Sequence, residues 1–286
     1  MVANDTDSEI YQSPEIQIVM KLAEEAGEVL RKYHKTALTV DYKQDRFDPV
    51  STADREADTL LREGIAAAFP SDEILSEENP LLPSSYKNRV WMIDSLDDSK
   101  GYLAGRDTAG IMIGLLEKNK PKIGVVYLPF RNEWLYGEAG KGSYRIREGV
   151  AHRLHVSGVT SIKDAALVGR HTVTGDIRPI DDAIAKLKFK NTVPEGCIGA
   201  KIGLIADSQA DAFIHTNLKA GKWDTLASQV ILSEAGGVMS DIDGNPLDYT
   251  KPDSGWKRYF VAACTPTLLT AIVSQLAEIN SQLSVF

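Results

Sequence analysis

Acidic side chains crowd together at three points of this chain, and the first is the most telling. Between Val90 and Gly105 a short apolar run, Val90 to Ile93, stops abruptly at Asp94, Asp97 and Asp98, followed by Ser99, Lys100 and Gly101. Open α/β sheets place their chemistry where buried strands end at their carboxyl termini. Three acids within five residues repel one another, and in sequence only Lys100 is close enough to offset them. Without a cation, one or more would have to protonate or turn into solvent. A hard divalent cation with oxygen ligands is the most economical resolution, and a solvated acidic turn is the plain alternative.

Two further segments favour the cation. Ile74 and Leu75 lead through Ser76 into the paired acids Glu77 and Glu78. Later, Lys222-Trp223-Asp224 opens a segment whose apolar residues Leu226, Ala227, Val230, Ile231 and Ala235 recur at helical spacing until Gly236-Gly237 stops it. Asp224 is thereby expected near a helix N-terminus, where the backbone dipole suits an anion. One acid there reads as a cap; with two other acidic clusters at strand ends, a shared metal site is the better reading.

The elements that must hold these acids can be read in outline. Ser13-Pro14 starts a helix, with Ser as cap and Pro at its first position, and Ile16, Val19, Leu22, Ala23, Ala26, Val29, Leu30 and Tyr33 form its apolar stripe. A polar stretch from Asp41 to Asp48 precedes a second helix over about 53–69. Strands are expected over 110–116, 122–128, 133–138 and 165–169, with helices over 179–187 and 200–209. The Gly-rich segment 137–144 lacks the spacing of a phosphate-binding P-loop and reads as a hairpin turn. The expected division is an N-terminal α+β half, 1–150, carrying most of the acids, and a C-terminal α/β half, 151–286, carrying Asp224 and the elements of substrate specificity.

At 286 residues and 43% hydrophobic content, the chain can bury a substantial core. No apolar run approaches the roughly 20 residues of a membrane span. Cys197 and Cys264 are the only cysteines, too few for a disulfide framework, which suggests a reducing cytoplasm. A formal charge of −8 argues against nucleic-acid polymers and membranes as partners. It leaves a small phosphorylated metabolite open, because a bound cation dominates the local field.

In order along the chain, these segments resemble the signature regions of the inositol monophosphatase superfamily, the magnesium-dependent, lithium-sensitive phosphatases. Asp48 to Asp54 is similar to its first motif, and Ser76-Glu77-Glu78 to its Gly-Glu-Glu. Trp91 to Leu103 resembles Trp-x-x-Asp-Pro-Ile-Asp-Gly-Thr-Lys-x-Phe, and Trp223 to Gly237 resembles the Trp-Asp motif ending in Glu-Ala-Gly-Gly. The resemblance implies an α-β-α-β-α layered sandwich and a homodimer. It also implies hydrolysis of a phosphate monoester by metal-activated water, with two or three magnesium ions. Carried over residue by residue, it makes Glu77, Asp94, Asp97, Asp224 and the Leu96 carbonyl the metal ligands. Asp54 and the Ser99 hydroxyl then orient the attacking water, and the amides after Asp97 receive phosphate oxygens. Glu78 and Lys100 are open between a supporting and a direct role. Trp91 and Trp223 read as packing residues bracing the metal-bearing ends, and His171 and His215 as ordinary polar residues.

The chain departs from the pattern in Asp94-Ser95-Leu96-Asp97-Asp98-Ser99. Ser99 keeps the hydroxyl of Thr, and Ser95 in place of Pro loosens the turn. Asp98 in place of Gly adds a carboxylate where bare backbone normally approaches phosphate, so it is expected to weaken phosphate binding, meet a cation, or contact a positive group on the substrate. A family member that binds a ligand or partner without catalysis is the competing reading. Within the superfamily, Ser99 to Gly105, Lys201 and the segment 244–253 lean toward the 3′-phosphoadenosine-5′-phosphate phosphatases. Arg170 falls in a segment that only partly matches theirs. Asp98, Ser99, Lys100, Arg170 and Lys201 are the candidate substrate contacts; inositol phosphate, a sugar phosphate and histidinol phosphate remain as alternatives.

Overall fold

The computed structural model describes residues 12–36, 39–42, 49–170, 180–256 and 258–283; Asp48, His171 and Pro179 lie outside them. Helix α1 (Pro14–Tyr33) begins as its cap predicts, with the Ser13 hydroxyl accepting from the Ile16 amide. A short antiparallel pair, β1 (Val40–Tyr42) with β2 (Pro49–Ser51), leads into α2 (Thr52–Ala68). Ser51 and Asp54 form a reciprocal capping box at the start of α2.

A seven-stranded sheet follows, made of β3 (Glu73–Ser76), β4 (Arg89–Asp97), β5 (Gly110–Glu117), β6 (Lys120–Leu128), β7 (Glu133–Glu138), β8 (Gly142–Arg147) and β9 (Val150–Arg153). The strands lie in sequence order, and only β3 with β4 is parallel. Between β4 and β5 a single short turn of helix, α3 (Ser99–Leu103), follows the acidic cluster. Both faces of this sheet are covered. Trp91 and Ile93 join the core under α1 and α2, whereas Val90 and Met92 join the core on the other side. That double burial is why β4 reads as an unbroken apolar run without alternation. The segment 137–144 is the β7–β8 hairpin, and the Glu234 carboxylate holds its turn through the Gly140 and Gly142 amides, at 2.9 and 2.8 Å.

A second sheet of five strands comprises β10 (Ala166–Arg170), β11 (Asn191–Glu195), β12 (Ala212–His215), β13 (Val238–Asp241) and β14 (Phe260–Ala263), in the order β11-β10-β12-β14-β13. Its helices are α4 (Asp181–Lys186), α5 (Ile198–Ala206), α6 (Leu226–Glu234) and α7 (Pro266–Leu283). Helices α5 and α6 lie between the two sheets, touching β5 and β6 on one side and β12 or β13 on the other; α4 and α7 cover the far side. The result is an α-β-α-β-α sandwich, as the family resemblance implies. Among the described residues no helix is long and apolar enough to cross a membrane.

Two glycines let α6 approach the first sheet. Gly114 and Gly124 face each other across β5 and β6. A Cβ on Gly114 would lie 2.9 Å from the Ala227 amide nitrogen, and one on Gly124 would lie 2.2 Å from the Ala227 carbonyl oxygen. Glycine inside a strand marks such a close approach. Because the obstacle is backbone, α6 cannot accommodate a side chain by a rotamer change. Gly124→Ala should therefore destabilise the protein by about 3 kcal/mol or more in urea unfolding. It should also weaken divalent-cation binding, because Asp224 sits just before α6. A variant as stable as the parent would show that the notch is not what seats the helix.

Candidate metal centre

Strand β4 delivers the first two acids. Its pairing with β5 is regular through Asp94 and resumes at Asp97, with a bulge between them. A bulge re-aims side chains, and here it brings Asp94 and Asp97 to one side while the Asp94 carboxylate accepts from the Leu96 amide at 2.9 Å. Ser95 does not loosen this turn as expected. It is buried, and its hydroxyl donates to the Asp54 carbonyl at 3.1 Å, pinning the bulge to α2. Glu77 follows β3, and its amide extends the ladder by donating to the Ile93 carbonyl at 3.1 Å.

Asp224 comes from the connection between β12 of the second sheet and α6. The helix expected to open at Trp223-Asp224 starts at Leu226, so Asp224 stands on the turn before it, where its carboxylate accepts from the Gly221 amide. Carboxylate oxygens of Asp94, Asp97 and Asp224 all lie within 4.8 Å of one another. Burial pushes the carboxyls of Asp94 and Asp224 well up from their ordinary range, and Glu77 and Asp97 push both further. Burial raises Asp97 to about 7, against the pull of the Lys201 ammonium and the Gly199 amide.

The donor set fits a hard divalent cation. It is all oxygen, it converges, and acids held apart from water strongly favour losing their protons to a metal. Ligands of an octahedral magnesium stand no more than about 4.2 Å apart, given bonds of about 2.1 Å, so oxygens within 4.8 Å of one another need little movement to close on one ion. The Leu96 carbonyl lies between Asp94 and Asp97 in sequence and accepts from the Ser99 hydroxyl at 3.0 Å.

Beside the cluster, Asp54 is buried, with one oxygen bound by the Ser51 amide and hydroxyl at 2.8 and 2.5 Å and the other facing the Ser99 hydroxyl at 3.2 Å. The N-terminus of α5, which the sequence reading did not connect to the site, donates its Gly199 amide to Asp97 at 3.1 Å. Lys201, on the same helix, is 7% exposed, with its ammonium 5.1 Å from the Phe213 ring centroid; it has no hydrogen bond or ion pair to a described residue.

The remaining candidates separate. Asp98 does not aim a charge outward. It takes the left-handed conformation, φ 72° and ψ 46°, and caps α3. Its oxygens accept from the Gly101 amide at 3.1 Å and the Thr108 hydroxyl at 2.6 Å, with Arg106 3.9 Å away. The Gly101 amide, one of the donors expected for phosphate, is thus engaged by the chain itself. Lys100 is exposed and Glu78 half-buried. Arg170 closes β10, and its side chain lies outside the described part. Trp91 donates to Asp72 at 2.8 Å and stacks on Phe69, bracing β4 against α2, and Trp223 is buried against the second core. His215 stacks on Phe260, with ring centroids 4.5 Å apart.

The model of the inositol monophosphatase family matches residues 12–281, nearly the whole chain. The chain belongs to the inositol monophosphatase family. It is 31% identical over 256 residues to the 3′(2′),5′-bisphosphate nucleotidase CysQ of Aggregatibacter actinomycetemcomitans, covering 87% of this chain and 93% of that one. It is also 29% identical to the histidinol-phosphatase of Chlorobaculum parvum, over 81% of this chain and 87% of the relative. In fold it matches the Thermotoga maritima IMPase with a TM-score of 0.79 at 23% identity, covering 95% of this chain and all of that one. This inositol monophosphatase family member is accordingly a phosphoric monoester hydrolase, of a family that uses magnesium.

Proton linkage at the cluster has a definite sign. A carboxyl raised by folding contributes stability that is complete below its unfolded pKa and lost as pH rises through its folded value. In chelator, the thermal midpoint should fall as pH rises from about 5 to about 8, the window set by Asp97 and extended upward by Asp94 and Asp224. Saturating magnesium should remove that fall, and calorimetric magnesium binding should tighten across the same window. A midpoint indifferent to both pH and magnesium would exclude a cation at these acids.

Proposed function

We propose that Glu77, Asp94, Asp97, Asp224 and the Leu96 carbonyl hold two or three magnesium ions, and that the chain hydrolyses the 3′-phosphate of a bisphosphorylated nucleotide of the 3′-phosphoadenosine-5′-phosphate kind. When bound, magnesium supplies charge neutralisation on the phosphoryl oxygens and a lowered pKa for water. The chain supplies position. Ser51 fixes one oxygen of Asp54, which leaves the other to accept from Ser99. With its proton directed to Asp54 or to the Leu96 carbonyl, the Ser99 oxygen turns its lone pairs outward to accept from the attacking water. Water oxygen bonds to phosphorus as the ester oxygen leaves with a proton, giving alcohol and inorganic phosphate.

Lys201 carries the choice of a nucleotide. Asp97, Asp98 and Glu195 act on the buried Lys201 ammonium through space, but none forms an ion pair with it, and a buried ammonium without a direct acceptor is costly. It is explained if an anion of the substrate, beyond the phosphate being cleaved, completes the pair. The bisphosphate nucleotidase relative supports the same reading. A histidinol phosphate would need an acid for its amine, and Asp98, the candidate for that task, has both oxygens engaged within the chain.

Phosphate release should be measured with magnesium across a bisphosphorylated nucleotide, an inositol monophosphate, a sugar phosphate and histidinol phosphate. The nucleotide is expected to show the highest kcat/KM, with turnover inhibited by lithium. Highest turnover on another ester would replace the nucleotide, and no turnover on any of them would favour ligand binding without catalysis. Lys201→Met should raise KM for the bisphosphorylated nucleotide by about 10-fold or more, the worth of one charge-assisted contact, and change little for a simple monoester. Equal losses on both substrates would remove Lys201 from the second-anion role.

A further inference from the structure

Lys222 lies two residues before Asp224 and is only 1% exposed. A buried ammonium must find acceptors, and this one donates to the Tyr86 hydroxyl at 2.9 Å and to the Lys251 carbonyl at 2.5 Å. It also stands 4.2 Å from the centroid of the Tyr86 ring, within the range of a cation–π contact. Its main chain is equally committed. The Lys222 amide donates to the Ser254 carbonyl at 2.9 Å, and its carbonyl accepts from the Leu226 amide at 3.1 Å. Alongside, Trp256 donates its amide to Ala220 at 2.9 Å, and Gly221 bridges to Gly255.

One residue thus joins three segments: the turn that bears Asp224, the loop over 248–256, and the approach to β4 at Tyr86. The joint matters because Asp224 belongs to no helix or strand. It stands on a turn whose carboxylate lies within 4.8 Å of those of Asp94 and Asp97, with Glu77 and Asp97 repelling it before a cation arrives. An untethered turn would relieve that repulsion by swinging away, and each binding event would then have to pull it back.

We propose that Lys222 is a positioning residue for the phosphatase reaction: by fastening Tyr86 and the Lys251 carbonyl, it holds Asp224 against the other acids and raises the affinity of the cluster for its divalent cation. The inference rests on the reading of the acid cluster as a magnesium site. It assigns Lys222 no contact with substrate, since the side chain is enclosed and faces Tyr86 and Lys251.

The test compares Lys222→Met, Tyr86→Phe and Asp94→Asn with the parent. Magnesium alone is titrated by calorimetry, and magnesium dependence is measured at saturating substrate. Lys222→Met should raise both the magnesium dissociation constant and the magnesium needed for half-maximal turnover by about 10-fold, the scale of groups that orient metal ligands. The lost turnover should recover as magnesium is raised, with KM for substrate unmoved. Tyr86→Phe, which keeps the ring and removes one acceptor, should shift magnesium affinity the same way by a smaller factor. Unchanged magnesium affinity in Lys222→Met, or a raised KM at saturating magnesium in its place, would overturn the proposal. If Lys222→Met does not fold, Tyr86→Phe decides, and unchanged affinity there overturns it. Asp94→Asn separates the two readings. Parental magnesium binding in that variant defeats the metal site itself, whereas loss there beside unchanged Lys222→Met and Tyr86→Phe defeats only the positioning role.

Discussion

Holding Asp94, Asp97 and Asp224 within 4.8 Å of one another, largely away from water, is unfavourable on its own, and much of the fold can be understood as the means of doing so. The bulge in β4 aims two of the acids to one side, and Ser95 ties that bulge to α2. Gly114 and Gly124 let α6 sit directly on β5 and β6, which brings Asp224 across from the second half of the chain. The α5 amide at Gly199 supplies partial positive charge to Asp97 from a third direction. Each device lies on a rigid element or is tied to one, so the repulsion cannot be relieved by a side chain turning away.

The substitution at Asp98 shows how a change of charge at such a site is absorbed. A carboxylate facing an anion would oppose it by several kcal/mol at close range. Here the left-handed backbone that suits glycine is kept, a conformation Asp tolerates better than most residues. The side chain folds back onto Gly101 and Thr108, with Arg106 nearby. A Cβ on Gly196 would come within 2.8 Å of the same carboxylate, so the connection from β11 to α5 packs directly on it. Asp98 therefore joins α3 to the elements that carry Gly199 and Lys201. The chain gains a local anchor and leaves the anionic substrate to meet donors elsewhere.

Polar joints of this kind lie outside what residue pattern can convey. Lys222 reads in sequence as one more lysine, because its partners Tyr86 and Lys251 are distant along the chain and one of the two acceptors is a backbone carbonyl. Likewise Ser95 looks like a missing proline until the Asp54 carbonyl is found beside it. Gly114 and Gly124 did carry a signal, since glycine inside two predicted strands marks a close approach, but the pattern does not name the helix that approaches.

The sequence by itself determined the helix starting at Ser13-Pro14 and the end of β3, and through its family resemblance it implied the layered class; β4 runs past the expected stop at Asp94 as far as Asp97. It also marked the acids at 77, 94, 97 and 224, which the structure places just after β3, within and at the end of β4, and on the turn before α6. These are local facts, set by capping, by double burial of a strand and by helical periodicity, and they survive in a one-dimensional reading. Tertiary structure alone decided that Asp94, Asp97 and Asp224 converge, that Asp98 turns inward, and that the α5 amide and Lys201 stand beside Asp97. Those outcomes depend on contacts across as many as 130 positions, such as Asp94 with Asp224. Only packing of α6 into its glycine notch and of α5 against the first sheet brings such residues within reach.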